Sequence, residues 1–284
     1  MANPIKVKVI PNEKLYVSEP DPRWFGNGPN PTDTGSPDPN WTNDNWLKSR
    51  FHFSFAEYNN YKNNQFGVLR VMNDDLVQPH RGFGTHPHGD MEIITYIVQG
   101  QLTHQDSMGT QESLPRGSIQ FMTAGTGVRH SEFNNGDKPL RFIQTWIMPS
   151  ERGLTPNYGS YRGDQDCHKN KLHHLVSNVS DKSVKTPVEV NQDVDAFASE
   201  LEKGQTVTYN LDANRQAYLL CIEGSVKVNG QQLNKYDACE ITGQGSGGDV
   251  KIEAIDVEDT EHGALAHVLM FAMKAVAGSG RKDL

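Results

Sequence analysis

Residues Glu92-Ile-Ile-Thr-Tyr-Ile-Val98 form an apolar run rich in β-branched and aromatic side chains, closed by Gln99-Gly100. Runs of the same kind flank it: Phe66-Gly-Val-Leu-Arg-Val-Met72, Ser118-Ile-Gln-Phe-Met-Thr123 and Leu140-Arg-Phe-Ile-Gln-Thr-Trp-Ile147. Gly100, Gly109, Gly117 and Gly125 punctuate them. Short apolar runs separated by glycine turns predict the strands of an all-β barrel or sandwich. The rhythm fades across polar residues 151–192. It returns in Gln205-Thr-Val-Thr-Tyr-Asn-Leu211, Tyr218-Leu-Leu-Cys-Ile222, Ser225-Val-Lys-Val228 and Ala264 to Met273. Asp195 to Leu201 could form one or two helical turns, but a strand is the preferred reading, because Glu202-Lys-Gly-Gln205 looks like a hairpin turn into the next one.

The two halves repeat one pattern. Gly100 in Ile97-Val-Gln-Gly-Gln-Leu102 aligns with Gly224 in Cys221-Ile-Glu-Gly-Ser-Val226. Each glycine follows an apolar strand and precedes a strand, a turn and another strand. The expectation is two β-barrel/jelly-roll domains in tandem over 46–150 and 193–284, joined by a linker at 151–192. Residues 1–45, crowded with Pro, Gly, Asn and Asp from 20 onward, are expected to form an irregular segment.

The 284 residues carry 27 basic and 35 acidic side chains, a formal charge of -8. That balance gives no overall affinity for nucleic acid, so direct DNA binding would need a local basic patch. No run approaches the ~20 apolar residues of a membrane span. Three cysteines cannot staple a chain of this length. The first ten residues lack a continuous apolar segment, so no secretory signal is read. The Asn-X-Ser/Thr triplets at Asn40 and Asn178 then read as chance, and a cytoplasmic or nuclear location is expected.

The chemistry concentrates in Gly84-Thr-His-Pro-His-Gly-Asp-Met-Glu92 and, forty-two residues after His88, in His130-Ser-Glu132. Side chains two apart on a strand share a face and lie about 6.6 Å apart along it. His86 and His88, and again His130 and Glu132, can therefore turn toward one ion. Three imidazoles and a carboxylate suit Fe(II), Mn, Ni, Cu or Zn. Ser131 should point to the other face of its strand.

These motifs resemble the pirin family of the cupin superfamily. The segments that carry the resemblance are Thr85-His-Pro-His-Gly-Asp-Met-Glu-Ile-Ile-Thr-Tyr96, His104-Gln-Asp-Ser-Met-Gly109 and Phe121-Met-Thr-Ala-Gly-Thr-Gly-Val-Arg-His-Ser-Glu132. It extends from Trp46 to Trp146-Ile-Met-Pro149 and is nearest to bacterial-type pirin-like quercetin 2,3-dioxygenases. The resemblance implies a bicupin. It implies His86, His88, His130 and Glu132 as ligands of one divalent transition metal, Fe(II) first, with Mn, Co, Ni, Cu or Zn as alternatives. It implies a flavonol and dioxygen as substrates, with another enolic or phenolic small molecule as the alternative, and Glu132 as ligand or as proton acceptor. A second implied role is an iron-dependent transcriptional cofactor with a protein partner, which the acidic charge would direct to a basic face. The implied C-terminal barrel has lost its metal, and the positions matching His86, His88 and Glu92 are Asn210, Asp212 and Gln216. Glu92 is expected to hydrogen-bond a ligand, face substrate, or make a structural hydrogen bond at the strand start.

Other clusters read as incidental. His104 and Asp106 read as a hairpin end. Cys167, His168, His173 and His174 lie in the polar linker without a second Cys pair at finger spacing and read as a solvated cluster.

Overall fold

The computed structural model describes residues 5–28, 46–163, 166–243 and 245–275. They hold twenty-three strands and two short 310 turns. Among them no helix is long and apolar enough to cross a membrane. Asn40 and the last nine residues lie outside the described residues.

The chain is all-β and forms two compact units, one of residues 16–65 and 69–163, the other of 1–15, 66–68 and 164–284. Each pairs a large antiparallel-rich sheet with a four-stranded one. In the N-terminal unit the four-stranded sheet runs Arg81–His88, Val128–Asn134, Gln101–Asp106, Gln111–Pro115. The seven-stranded sheet has Glu92–Gln99 near its centre, between Ile119–Thr123 and Leu140–Ile147. Trp46, Leu47, Val77, Ile97, Leu102, Leu114, Leu140 and Phe142 draw on both sheets and form one buried cluster, with Phe25 and Phe83 packed against it. From Glu92 to Val98 every residue is buried. That continuous burial explains why the run shows little polar alternation.

The boundaries differ from those expected. Ile5–Ile10, placed in the irregular 1–45 segment, is a strand paired with Ala238–Gly243 of the C-terminal unit. Tyr16–Ser18 pairs with Leu47–Phe51 of the N-terminal unit. The 151–192 linker also carries structure. Asn157–Tyr161 adds to the edge of Ile119–Thr123, and His173–Asn178 pairs with Val194–Leu201. Asn157–Tyr161, which has no aliphatic side chain, owes its place to that partner's edge rather than to its own apolar content.

Two glycines set the close approaches around the site. A Cβ on Gly125, whose φ is +46°, would lie 1.9 Å from the Leu154 carbonyl oxygen. A Cβ on Gly82 would lie 2.3 Å from the Glu132 carbonyl oxygen and 2.6 Å from Phe133 Cα. Gly82→Ala must therefore push the Val128–Asn134 strand outward. The expected loss is about 1–3 kcal/mol of stability, measured by denaturant unfolding. An unchanged midpoint would show that the strands separate freely.

Candidate metal centre

Three imidazoles meet at one point. His88 Nε2 lies 2.9 Å from His130 Nε2, and His130 Nε2 lies 3.1 Å from His86 Nε2. Strand register creates this meeting, because His130 is directly opposite His86 across the ladder. Beyond that pair the register shifts, and Glu132 faces Phe83 rather than Gly84. The irregularity leaves the Gly84 carbonyl to accept a hydrogen bond from His86 Nδ1 at 2.7 Å. A carbonyl only accepts, so Nδ1 carries the proton and the Nε2 lone pair is free for a ligand.

Two ligand atoms about 2.1 Å from one ion, at right angles, lie about 3.0 Å apart. The 2.9 and 3.1 Å separations fit neighbouring positions on one ion. His86 and His88 are half-buried and His130 is buried. Burial lowers all three imidazole pKa values, that of His88 to about 4 and that of His130 to about 2; neighbouring histidines add to the effect at His88 and His130, and the Arg129 charge adds to it at His86. The rings are thus neutral at pH 7, the form that binds a metal. The Trp146 ring meets His88 edge to face, with centroids 4.8 Å apart.

Glu132, expected to join the histidines, stands partly apart. Its carboxylate groups with His130 and His104, not with His86 and His88. Gln120 Nε2 donates to Oε1 at 2.8 Å, Gln144 Nε2 donates to Oε2 at 2.9 Å, and Thr95 Oγ1 lies 3.2 Å from Oε1. Burial pushes the Glu132 carboxyl up to about 7, against those three hydrogen bonds, which pull it down. Thr95, Gln120 and Gln144 went unrecognised in the sequence. Their one signal is a polar residue inside an apolar run.

His104 and Asp106 do lie at a hairpin end, where Asp106 Oδ1 accepts from the amides of Met108 and Thr110, but His104 also turns inward. It is 1% exposed, stacks on Tyr158 with centroids 4.5 Å apart, and places its ring 5.3 Å from that of His130. Its Nε2 lies 3.0 Å from Asp106 Oδ2. The register explains the inward turn, since His104 faces Glu132 and Asp106 faces His130. Glu92 is fully buried and accepts a hydrogen bond from Thr123 Oγ1 at 3.4 Å. It joins none of the candidate metal-binding groups among the described residues. Ser131 lines an open cleft with Thr85, Gln105 and Arg129. In the C-terminal unit Asn210 donates to Asp249.

The Cys167 cluster is not solvated. Cys167 is 6% exposed and His168 is fully buried. His174 leaves the cluster for Asp195 and the Phe197 ring.

Comparison with known proteins shows the family of the chain. Residues 36–147 match the family model described as Pirin, and residues 177–271 match the quercetinase C-terminal cupin domain. The chain is 41% identical over 196 residues to a pirin-like protein of Caulobacter vibrioides, covering 69% of this chain and 84% of that one. It is 40% identical over 200 residues to quercetin 2,3-dioxygenase of Escherichia coli K12, covering 70% and 84%. The crystal structure of the bacterial pirin YhhW from Escherichia coli in complex with nickel(II) superimposes with a TM-score of 0.75 at 30% identity. That superposition covers 95% of this chain and all of the other.

Proposed function

The chain belongs to the pirin family of cupins, and from that premise we propose that its N-terminal unit is a metal-dependent dioxygenase site that cleaves a flavonol such as quercetin. The convergence of three neutral imidazole nitrogens in a half-buried site carries this reading. His86, His88 and His130 would hold the ion, with Glu132, which shares His130 with them, as fourth ligand. Fe(II) is the proposed metal. The same donors suit Mn, Co, Ni, Cu and Zn. When bound, such an ion supplies Lewis acidity that lowers the pKa of a coordinated hydroxyl.

The protein's own contribution is orientation and proton handling. Gly84 fixes the His86 tautomer, and the Trp146 edge packs against His88. A carboxyl near 7 matches proton transfer at neutral pH, so Glu132 is also suited to accept the flavonol hydroxyl proton. The test is anaerobic loading of the chain with metal, then addition of oxygen and quercetin. Loss of flavonol absorbance with release of carbon monoxide is expected. No turnover with any of Fe, Mn, Co, Ni or Cu would sink the flavonol reading.

A second measurement tests Glu132 as ligand. Its metal-free carboxyl is raised to about 7, so at pH 6 it is mostly protonated and must lose that proton to bind a cation. Metal loading at pH 6 in weak buffer is expected to release about one proton more from the wild-type chain than from Glu132→Gln. Equal release from both would leave the carboxylate with Gln120 and Gln144, outside the coordination sphere.

A further inference from the structure

A second group of metal-binding side chains lies in the C-terminal unit, on residues the flavonol chemistry does not use. Cys167 Sγ, one nitrogen of His168 and one of His173 lie within 4.8 Å of one another. His168 Nδ1 and His173 Nδ1 are 3.2 Å apart. Cys167 and His168 are buried, and His173 is half-buried at the start of the His173–Asn178 strand. Pairing of that strand holds His173 opposite Ala198. The amide of Glu200 donates to the His168 carbonyl and fixes the other arm.

We propose that Cys167, His168 and His173 form a zinc site distinct from the His86–His88–His130 centre. Two nitrogens bound to one tetrahedral Zn2+ at about 2.0–2.1 Å lie about 3.3–3.4 Å apart, and the observed 3.2 Å is close to that separation. One thiolate and two imidazoles form a borderline-soft donor set that suits Zn2+. Mg2+ and Ca2+ demand oxygen ligands and are poorly served by it. Bound zinc would tie Cys167 and His168 to the His173 strand across a short connection and so brace the entry to the C-terminal unit.

The test uses the full chain, stripped of metal and reloaded with Zn2+ or with Co2+ as a spectroscopic substitute. Elemental analysis is expected to find two ions per wild-type chain and one fewer in Cys167→Ala. With Co2+, a thiolate-to-cobalt charge-transfer band is expected in the wild type. The band should persist in the double variant His86→Ala/His88→Ala and vanish in Cys167→Ala. That double variant separates failure of this site from failure of the first. His173→Ala, at a half-exposed position, serves where the cysteine variant folds poorly, and it too should lose one ion. The proposal is overturned if the wild type shows no thiolate band. It is also overturned if the band survives in Cys167→Ala, or if neither Cys167→Ala nor His173→Ala binds one ion fewer.

Discussion

Replacing His86, His88 or His130 with alanine is expected to abolish metal binding at the N-terminal centre and flavonol turnover with it. Each ring supplies one of only three nitrogens at the site, held 2.9 and 3.1 Å apart by strand register. Loss of a partner that merely orients a ligand costs metal affinity about 10–100-fold, so loss of a ligand itself should exceed that range. The effect should appear as weaker binding in a competitive chelator titration, with the thermal transition of the metal-free chain little changed for His86 and His88, which are half-buried. His130 is buried, so His130→Ala should also lower stability. Glu92→Gln makes the contrast. Glu92 bonds Thr123 and joins no group of metal-binding side chains, so its replacement should leave affinity intact. Undiminished affinity in His86→Ala and His88→Ala would move the ion elsewhere. A large loss in Glu92→Gln would return that carboxylate to the centre.

What the sequence shows and what it hides divide along local and non-local physics. The apolar runs flanked by glycine turns are local, and they identify the strands of both units. His-X-His is local too, because alternation alone puts both rings on one face. Register is not local. Whether His104 and Asp106 turn inward depends on their facing Glu132 and His130 across a ladder, and one residue of slip would turn them out. The partial separation of Glu132 from the histidines has the same origin, a register shift between His130 and Glu132 that no composition rule signals. Cys167 and His168 were hidden differently. Their segment is polar, yet a parallel bridge from Lys169 to Glu200 buries it against the sheet. Ile5-Lys-Val-Lys-Val-Ile10 does show strand alternation, but its partner lies more than two hundred residues away.

The second large effect concerns two adjacent aspartates whose environments push them in opposite directions. Asp74 and Asp75 sit on the Leu69–Val77 strand, so their side chains leave opposite faces. Asp74 takes two hydrogen bonds from Arg141, Nε to Oδ1 at 2.8 Å and Nη2 to Oδ2 at 2.7 Å. Burial raises the Asp74 carboxyl, but the Arg141 charge and hydrogen bonds more than offset this and hold it low. Among the described residues Asp75 has no such cationic hydrogen-bond partner; the Ser49 hydroxyl donates to it. Burial pushes Asp75 up to about 8, with the Asp74 and Glu132 charges adding to the rise. The folded chain thus keeps a proton on Asp75 that the unfolded chain loses above about 3.8. Between pH 4 and 8 the folded state binds more protons, so stability falls as pH rises, at up to about 1.36 kcal/mol per pH unit. Asp75→Asn removes that slope while keeping an acceptor for Ser49. It is expected to be more stable than the wild type at pH 8 by up to about 5 kcal/mol, and nearly equal to it near pH 4. Asp74→Asn should do the reverse, costing about 3–5 kcal/mol at neutral pH because Arg141 is left buried without its counter-charge. The wild-type contribution of Asp74 is present above its unfolded pKa and is lost as pH falls through its lower folded value. Denaturant unfolding of the N-terminal unit at pH 5 and pH 8 measures both. Parallel pH curves for wild type and Asp75→Asn would mean that Asp75 ionises freely inside the fold, and burial would then not govern its charge.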